Sequence, residues 1–159
     1  MSLNIRRWLP LIFWIVMIFG LSSIPGFSSD DVNLPSGSDK VVHFIEYAIF
    51  AMLYYRGLSY GGVRVRWSIV LVVITSGIAV AALDEMYQSY IPRRDSSFFD
   101  LVMDSMGVVS GTLAATLATG AAFTWLNPHV YLDTLGLVGA VSTQFDGADR
   151  AAFGVGAVL

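Results

Sequence analysis

Five of the chain's twelve carboxylates, Asp84, Glu85, Asp95, Asp100 and Asp104, fall in the single stretch DEMYQSYIPRRDSSFFDLVMD, together with Arg93 and Arg94. A second polar group stands upstream in DKVVHFIEY, with Asp39, Lys40, His43, Glu46 and Tyr47. On helices, His43 and Glu46 at i and i+3 share a face, as do Asp100 and Asp104 at i and i+4. Two such pairs could hold one divalent cation such as Mg²⁺, with Asp84 or Glu85 as a base. A lone His-x-x-Glu is a weak motif, met more often as hydrogen-bonding groups at a helix end. The guanidinium forks of Arg93 and Arg94 suit a phosphate. Seven acids (Asp39, Glu46, Asp84, Glu85, Asp95, Asp100 and Asp104) face three bases (Lys40, Arg93 and Arg94), so a site built from them is net negative. It must share protons or recruit a cation.

The elements that would position these groups are apolar. Of the 159 residues, 55% are hydrophobic and 13% charged, and mean hydropathy is +0.67. A water-soluble domain carries about 25% charged residues, so the composition points to a polytopic membrane protein. A net charge of −3 argues against nucleic acid as a partner, because that needs a basic face. No cysteine is present, which excludes disulfides, a thiol nucleophile and thiolate-bound metal.

Four segments have spanning length: Trp8 to Ile24, about Val41 to Leu58, Trp67 to Leu83, and Phe98 to about Leu126. Lipid offers the backbone no hydrogen-bond partners, so each must be helical. The expected fold is all-α, a four-transmembrane-helix bundle over residues 1–126. Residues 127–159 then form a cytoplasmic tail with no clean helical period. The first segment, with Arg6 and Arg7 before it and GLSS at its end, also has the outline of a signal peptide. Arg6, Arg7, Arg56, Arg64 and Arg66 mark one side; Asp30, Asp31 and Asp39 mark the other. The positive-inside rule then puts both termini in the cytoplasm.

With that topology, Asp39, Lys40, His43 and Glu46, then Asp84, Glu85 and Gln88, then Asp100 and Asp104 all gather at the outer end. Arg93, Arg94 and Asp95 lie in the connection beside them. Asp100, Asp104, Gly107, Gly111, Ala114 and Ala118 step by four and three along one stripe. Its GxxxG element allows a neighbouring helix to approach closely. Gly77, Ala81, Asp84 and Gln88 form a similar stripe in the third segment. His43, Glu46, Tyr47, Phe50 and Tyr54 share a face of the second.

From GLSSIPG through DKVVHFIEYAIF to LDEMYQSYIPRRDSSFFDLVMDSMGVVSG, about Leu21 to Leu117, the sequence resembles the VanZ family of small bacterial membrane proteins. That family is named for a member associated with teicoplanin resistance. The resemblance implies a multi-pass protein of the bacterial cytoplasmic membrane. Its signature residues fall here on Asp39, Lys40, His43, Phe44, Tyr47, Asp84, Glu85, Gln88, Pro92, Arg93, Asp100, Asp104 and Gly107. The family pattern accepts Asn as well as Asp at Asp104. One functional expectation is an outward-facing binder of a lipid head group, a lipid-linked cell-wall precursor or a lipoglycopeptide, in a resistance-type role. A second is an intramembrane metal-dependent hydrolase or transferase acting on a phosphorylated lipid. A third is a structural subunit of a membrane complex. The sequence alone leaves open whether the protein is an enzyme, and a divalent cation is the cofactor that its acids would suit.

Overall fold

A computed structural model describes residues 5–25, 37–59, 65–94 and 96–158. Asp30, Asp31, Arg64 and Asp95, all used in the reading above, lie outside the described residues. After a 3-10 turn at Ile5–Arg7 come α1 (Leu9–Ser22), α2 (Ser38–Leu58), α3 (Trp67–Gln88), α4 (Phe98–Trp125), α5 (Pro128–Ser142) and α6 (Gly147–Val158). No strand occurs among the described residues. The chain divides into two units, residues 1–119 and 120–159, so the boundary falls within α4.

In the first unit, successive helices run in opposite directions. Trp8, just ahead of α1, packs on Gly57 near the end of α2, while Ser22 at the end of α1 bonds to Asp84 near the end of α3. Lys40 and His43 in the first turns of α2 pair with Asp100 and Asp104 in the first turns of α4. The end of α1, the start of α2, the end of α3 and the start of α4 therefore meet at one end of the bundle. Every carboxylate of these helices is there.

The apolar core fills the rest of this unit. Ile18, Tyr47, Phe50, Ala51, Tyr55, Val73, Ala81 and Val108 are buried at its centre. Tyr47, Phe50 and Tyr54 stack in tilted pairs along α2, with ring centroids 5.9 and 5.8 Å apart. Spacings of this kind add attraction beyond area burial.

The exterior is the reverse of a water-soluble protein's. Val41, Val42, Ile45, Leu71, Leu113 and Leu117 are exposed, while Asp84 and Asp104 are 1% and 0% exposed. Charges inside and aliphatic side chains outside suit a hydrocarbon solvent. By length and composition, α3 and α4 are able to cross a bilayer, with mean hydropathies of 2.0 and 1.4. At 21 residues α2 is comparable in length, but His43, Glu46 and Arg56 lower its hydropathy.

Glycine allows a close helix contact. A methyl group on Gly107 would fall well inside 3.0 Å of the Phe44 carbonyl oxygen, and one on Gly111 equally close to that of Ala48. The backbones of α2 and α4 touch there. The stripe extends differently from its four-and-three count. Ala114 and Ala118 are exposed, and the buried face runs instead through Asp100, Asp104, Gly107, Val108, Gly111 and Thr112, with Ala115 packed against the core. At about 100° per residue, Asp104, Gly111 and Ala115 lie on the centre line of that face, and Ala114 falls towards its edge.

In the second unit, residues without an evident period form α5 and α6. Asn127 caps α5, its side-chain oxygen accepting from the His129 amide at 3.1 Å, and Pro128 occupies the first turn, where its missing N–H costs nothing.

Candidate functional site

The polar end of the bundle is built from four helices. Gly37 starts α2 in the left-handed region at φ 90°, which glycine adopts without strain. One turn on, the Lys40 ammonium donates to Asp39 Oδ2 and to Asp100 Oδ1, each at 3.0 Å. Lys40 precedes the apolar part of α2, and the hydrogen bonds it donates to Asp39 and Asp100 hold its pKa above the ordinary lysine range.

Below this pair the groups become inaccessible. His43 Nδ1 lies 3.0 Å from Asp104 Oδ1 and 4.0 Å from Glu85 Oε1. Glu85 Oε2 accepts from the Ser97 amide at 3.1 Å. Asp84 Oδ2 accepts from Ser22 Oγ and from Gln88 Nε2, both at 3.0 Å. Gln88 is fixed in turn by Arg94, whose Nε donates to Gln88 Oε1 at 3.0 Å and whose other nitrogen reaches the Leu21 carbonyl at 3.3 Å. This network ties α1 to α3 and to the connection that follows it.

Several buried atoms have no hydrogen-bond partner among the described residues: Glu46 Oε1, Tyr47 Oη, Asp84 Oδ1, Glu85 Oε1 and Asp104 Oδ2. Buried polar atoms are normally satisfied, because each orphan costs about 1–3 kcal/mol. Five in one region make a set of acceptors and a hydroxyl suited to a cationic ligand.

The structure brings together Asp39, Lys40, His43, Asp84, Glu85, Gln88, Arg94, Asp100 and Asp104 through direct bonds. Tyr47 is buried beneath them, and Glu46 is half-buried. Arg93 is not brought in. It is exposed, with its backbone left-handed at φ 60°. The pairing of His43 and Glu46 with Asp100 and Asp104 as metal ligands is corrected as well. Asp100 is occupied by Lys40, and the three groups close enough to share an ion are His43, Glu85 and Asp104. Ser22 was not singled out from the sequence. Its signal was a hydroxyl closing the apolar run of α1.

A comparison of the whole chain with known families identifies its framework. The VanZ/LLP1 family profile matches residues 7–119. The chain belongs to the VanZ/LLP1 family. The match ends where the first structural unit ends.

Relatives of another name match shorter stretches. The arginine exporter protein ArgO of Pectobacterium carotovorum subsp. carotovorum (strain PC1) is 42% identical over 57 residues, 36% of this chain and 28% of the relative. The putative amino-acid transporter YggA of Aeromonas salmonicida is 54% identical over 54 residues, 34% of this chain and 24% of the relative. The arginine exporter ArgO of Escherichia coli (strain K12) is 45% identical over 42 residues, 26% and 20% of the two chains. This chain therefore spans about a quarter of the length of these relatives. A 57-residue match is longer than residues 120–159, so it reaches into the part matched by the VanZ/LLP1 profile. No solved structure matches.

These relatives overturn the expected envelope role. Their names concern amino-acid transport, not a lipid head group, a wall precursor, a lipoglycopeptide or teicoplanin resistance, and equally not lipid hydrolysis or a scaffold subunit. Arg94 bonds to Gln88 and to the Leu21 carbonyl, and Arg93 is exposed, outside the buried cluster. What is left open at the polar end is carboxylate.

Proposed function

We propose that this protein exports a cationic amino acid, arginine foremost, from a four-span bundle in the bacterial cytoplasmic membrane. The observation that carries this reading is the open carboxylate oxygen on the Asp84 side of the buried polar end: Asp84 Oδ1 and Glu46 Oε1. A guanidinium group presents five N–H donors in a planar fork that matches carboxylates two at a time. Ionisable groups inside membrane helices commonly line a substrate path. The relatives named as arginine exporters support the same chemistry.

Asp84 stands at the outer end of the path. Ser22 and Gln88 fix its Oδ2 and the Tyr47 hydroxyl lies against the same carboxylate, so the group is oriented in advance and little ordering cost remains for the ligand. Tyr47 and Glu46 complete that side. Arg6, Arg7, Arg56 and Arg66 lie at the opposite ends of α1, α2 and α3, which supports a cytoplasmic location for that side of the bundle and for both termini. The carboxylates then open towards the outer face, where an exported cation is released.

Efflux tests the reading. Cells loaded with labelled arginine and expressing the protein should lose label faster than cells with an empty vector, and Asp84→Asn should return the rate to the vector level at equal expression. Equal efflux from expressing and control cells would refute the function.

A further inference from the structure

We propose that His43, Glu85 and Asp104 form a binding site for a first-row divalent cation such as Zn²⁺ or Mn²⁺, separate from the amino-acid path at Asp84. The inference stands independently of the export reading.

Three observations point to it. The first is geometry. One ligand atom from each residue lies within 4.8 Å of the others, and His43 Nδ1 lies 3.0 Å from Asp104 Oδ1 and 4.0 Å from Glu85 Oε1. A cation bound at about 2.1 Å to each donor places adjacent donors about 3 Å apart and opposed donors about 4 Å apart. Both His43 separations fall in that range, and the third, bounded at 4.8 Å, asks the two carboxylates to close by at most about 0.6 Å around an ion.

The second observation is the unsatisfied oxygen. Glu85 is 7% exposed, and its Oε1, the oxygen facing His43, has no hydrogen-bond partner. Its Oε2 is held by the Ser97 amide, so the open oxygen is aimed by the other. Asp104 is fully buried, and its Oδ2 is open in the same way. Stranding two carboxylate oxygens beside one imidazole is costly unless a positive charge joins them.

The third is the support. The three ligands come from α2, α3 and α4, whose mutual position is fixed by the glycine contact of α2 with α4 and by the seat of Gly77 on Val108 and Phe50. Ligands on packed helices are held more precisely than ligands on loops.

The donor set selects the ion. One imidazole and two carboxylates suit first-row transition metals better than Mg²⁺ or Ca²⁺, which favour all-oxygen shells. Binding would displace the proton shared by His43 Nδ1 and Asp104 and leave the imidazole proton on Nε2. The ion would then neutralise Glu85 and Asp104 and cross-link three helices.

Metal titration of the purified, chelator-stripped protein tests this directly. Isothermal calorimetry with Zn²⁺ and with Mn²⁺ should give one equivalent per chain, with a rise in melting temperature on binding. His43→Ala and Glu85→Gln should lose that equivalent, while Asp133→Asn and Asp149→Asn in the second unit should keep it. Undiminished binding in both site variants, or no binding of either ion to the wild type, would overturn the site. If the site variants do not fold, X-ray absorption on the zinc-loaded wild type decides. One imidazole nitrogen with oxygen ligands is expected, and an all-oxygen shell would refute the assignment.

Discussion

A single methyl group added where α2 and α4 touch should separate the helices that carry the site. In Gly111→Ala, the new Cβ would fall well inside 3.0 Å of the Ala48 carbonyl oxygen, with the Ala48 carbonyl carbon and Cα also only 2.8 Å away. All three are backbone atoms of a helix, so no rotamer change can relieve the clash. Overpacking of this kind costs about 1–3 kcal/mol, and rigid backbone on both sides puts this case at the top of that range. Alanine returns about 1 kcal/mol through helix propensity, leaving a net loss of about 2 kcal/mol. Gly107→Ala should behave alike against Phe44. Gly20→Ala is the control: nothing lies within 4 Å of its added methyl, so only the propensity gain remains. Thermal unfolding in detergent, followed by size-exclusion chromatography, would rank them. Gly107→Ala and Gly111→Ala should melt below wild type and Gly20→Ala at or above it. If all three melt together, α2 and α4 are not in backbone contact and the reasoning fails.

Other outcomes follow from the same geometry. Ser22→Ala should lower stability by about 1–3 kcal/mol, because a buried hydrogen bond to a carboxylate is lost and Asp84 Oδ2 keeps only Gln88; a wild-type melting curve would show that α1 is not joined to Asp84. Gly77→Ala should cost less than Gly111→Ala, since its methyl meets the Val108 side chain at 2.8 Å and not a backbone atom; the same melting assay ranks the two, and an equal or larger loss would count against that distinction. Cysteine at Ser96 should react with an impermeant thiol reagent on intact cells and cysteine at Ser59 should not; the reverse pattern would invert the proposed orientation.

The four apolar segments read from the sequence coincide with α1 to α4, because hydrocarbon-length runs leave the backbone one solution. Their ends were less legible. Hydropathy stops at Leu83, yet α3 continues to Gln88, since Asp84, Glu85 and Gln88 are buried and each has one partner in Ser22, the Ser97 amide or Arg94. Likewise α2 starts at Ser38, with Asp39 in its first turn, where an acid favours the helix dipole. The meeting of His43, Asp104 and Glu85 could be anticipated only as a gathering at one end. Which acid takes Lys40 and which takes His43 depends on the rotation of α4, and that is fixed by the contact of Gly107 and Gly111 with α2. Ser22 escaped notice because a serine closing an apolar run reads as a boundary, not a ligand. In α5, the cap at Asn127 and the proline after it were present as signals, but glycines and short apolar runs hide the period.

Arginine binding to the purified protein tests the central claim most directly, with citrulline as comparison. Citrulline has nearly the same shape, but a neutral urea replaces the guanidinium charge. Open buried carboxylates predict saturable binding of labelled arginine that excess unlabelled arginine displaces, citrulline displaces poorly, and Asp84→Asn abolishes. Equal competition by citrulline, or unchanged arginine binding in Asp84→Asn, would contradict the account.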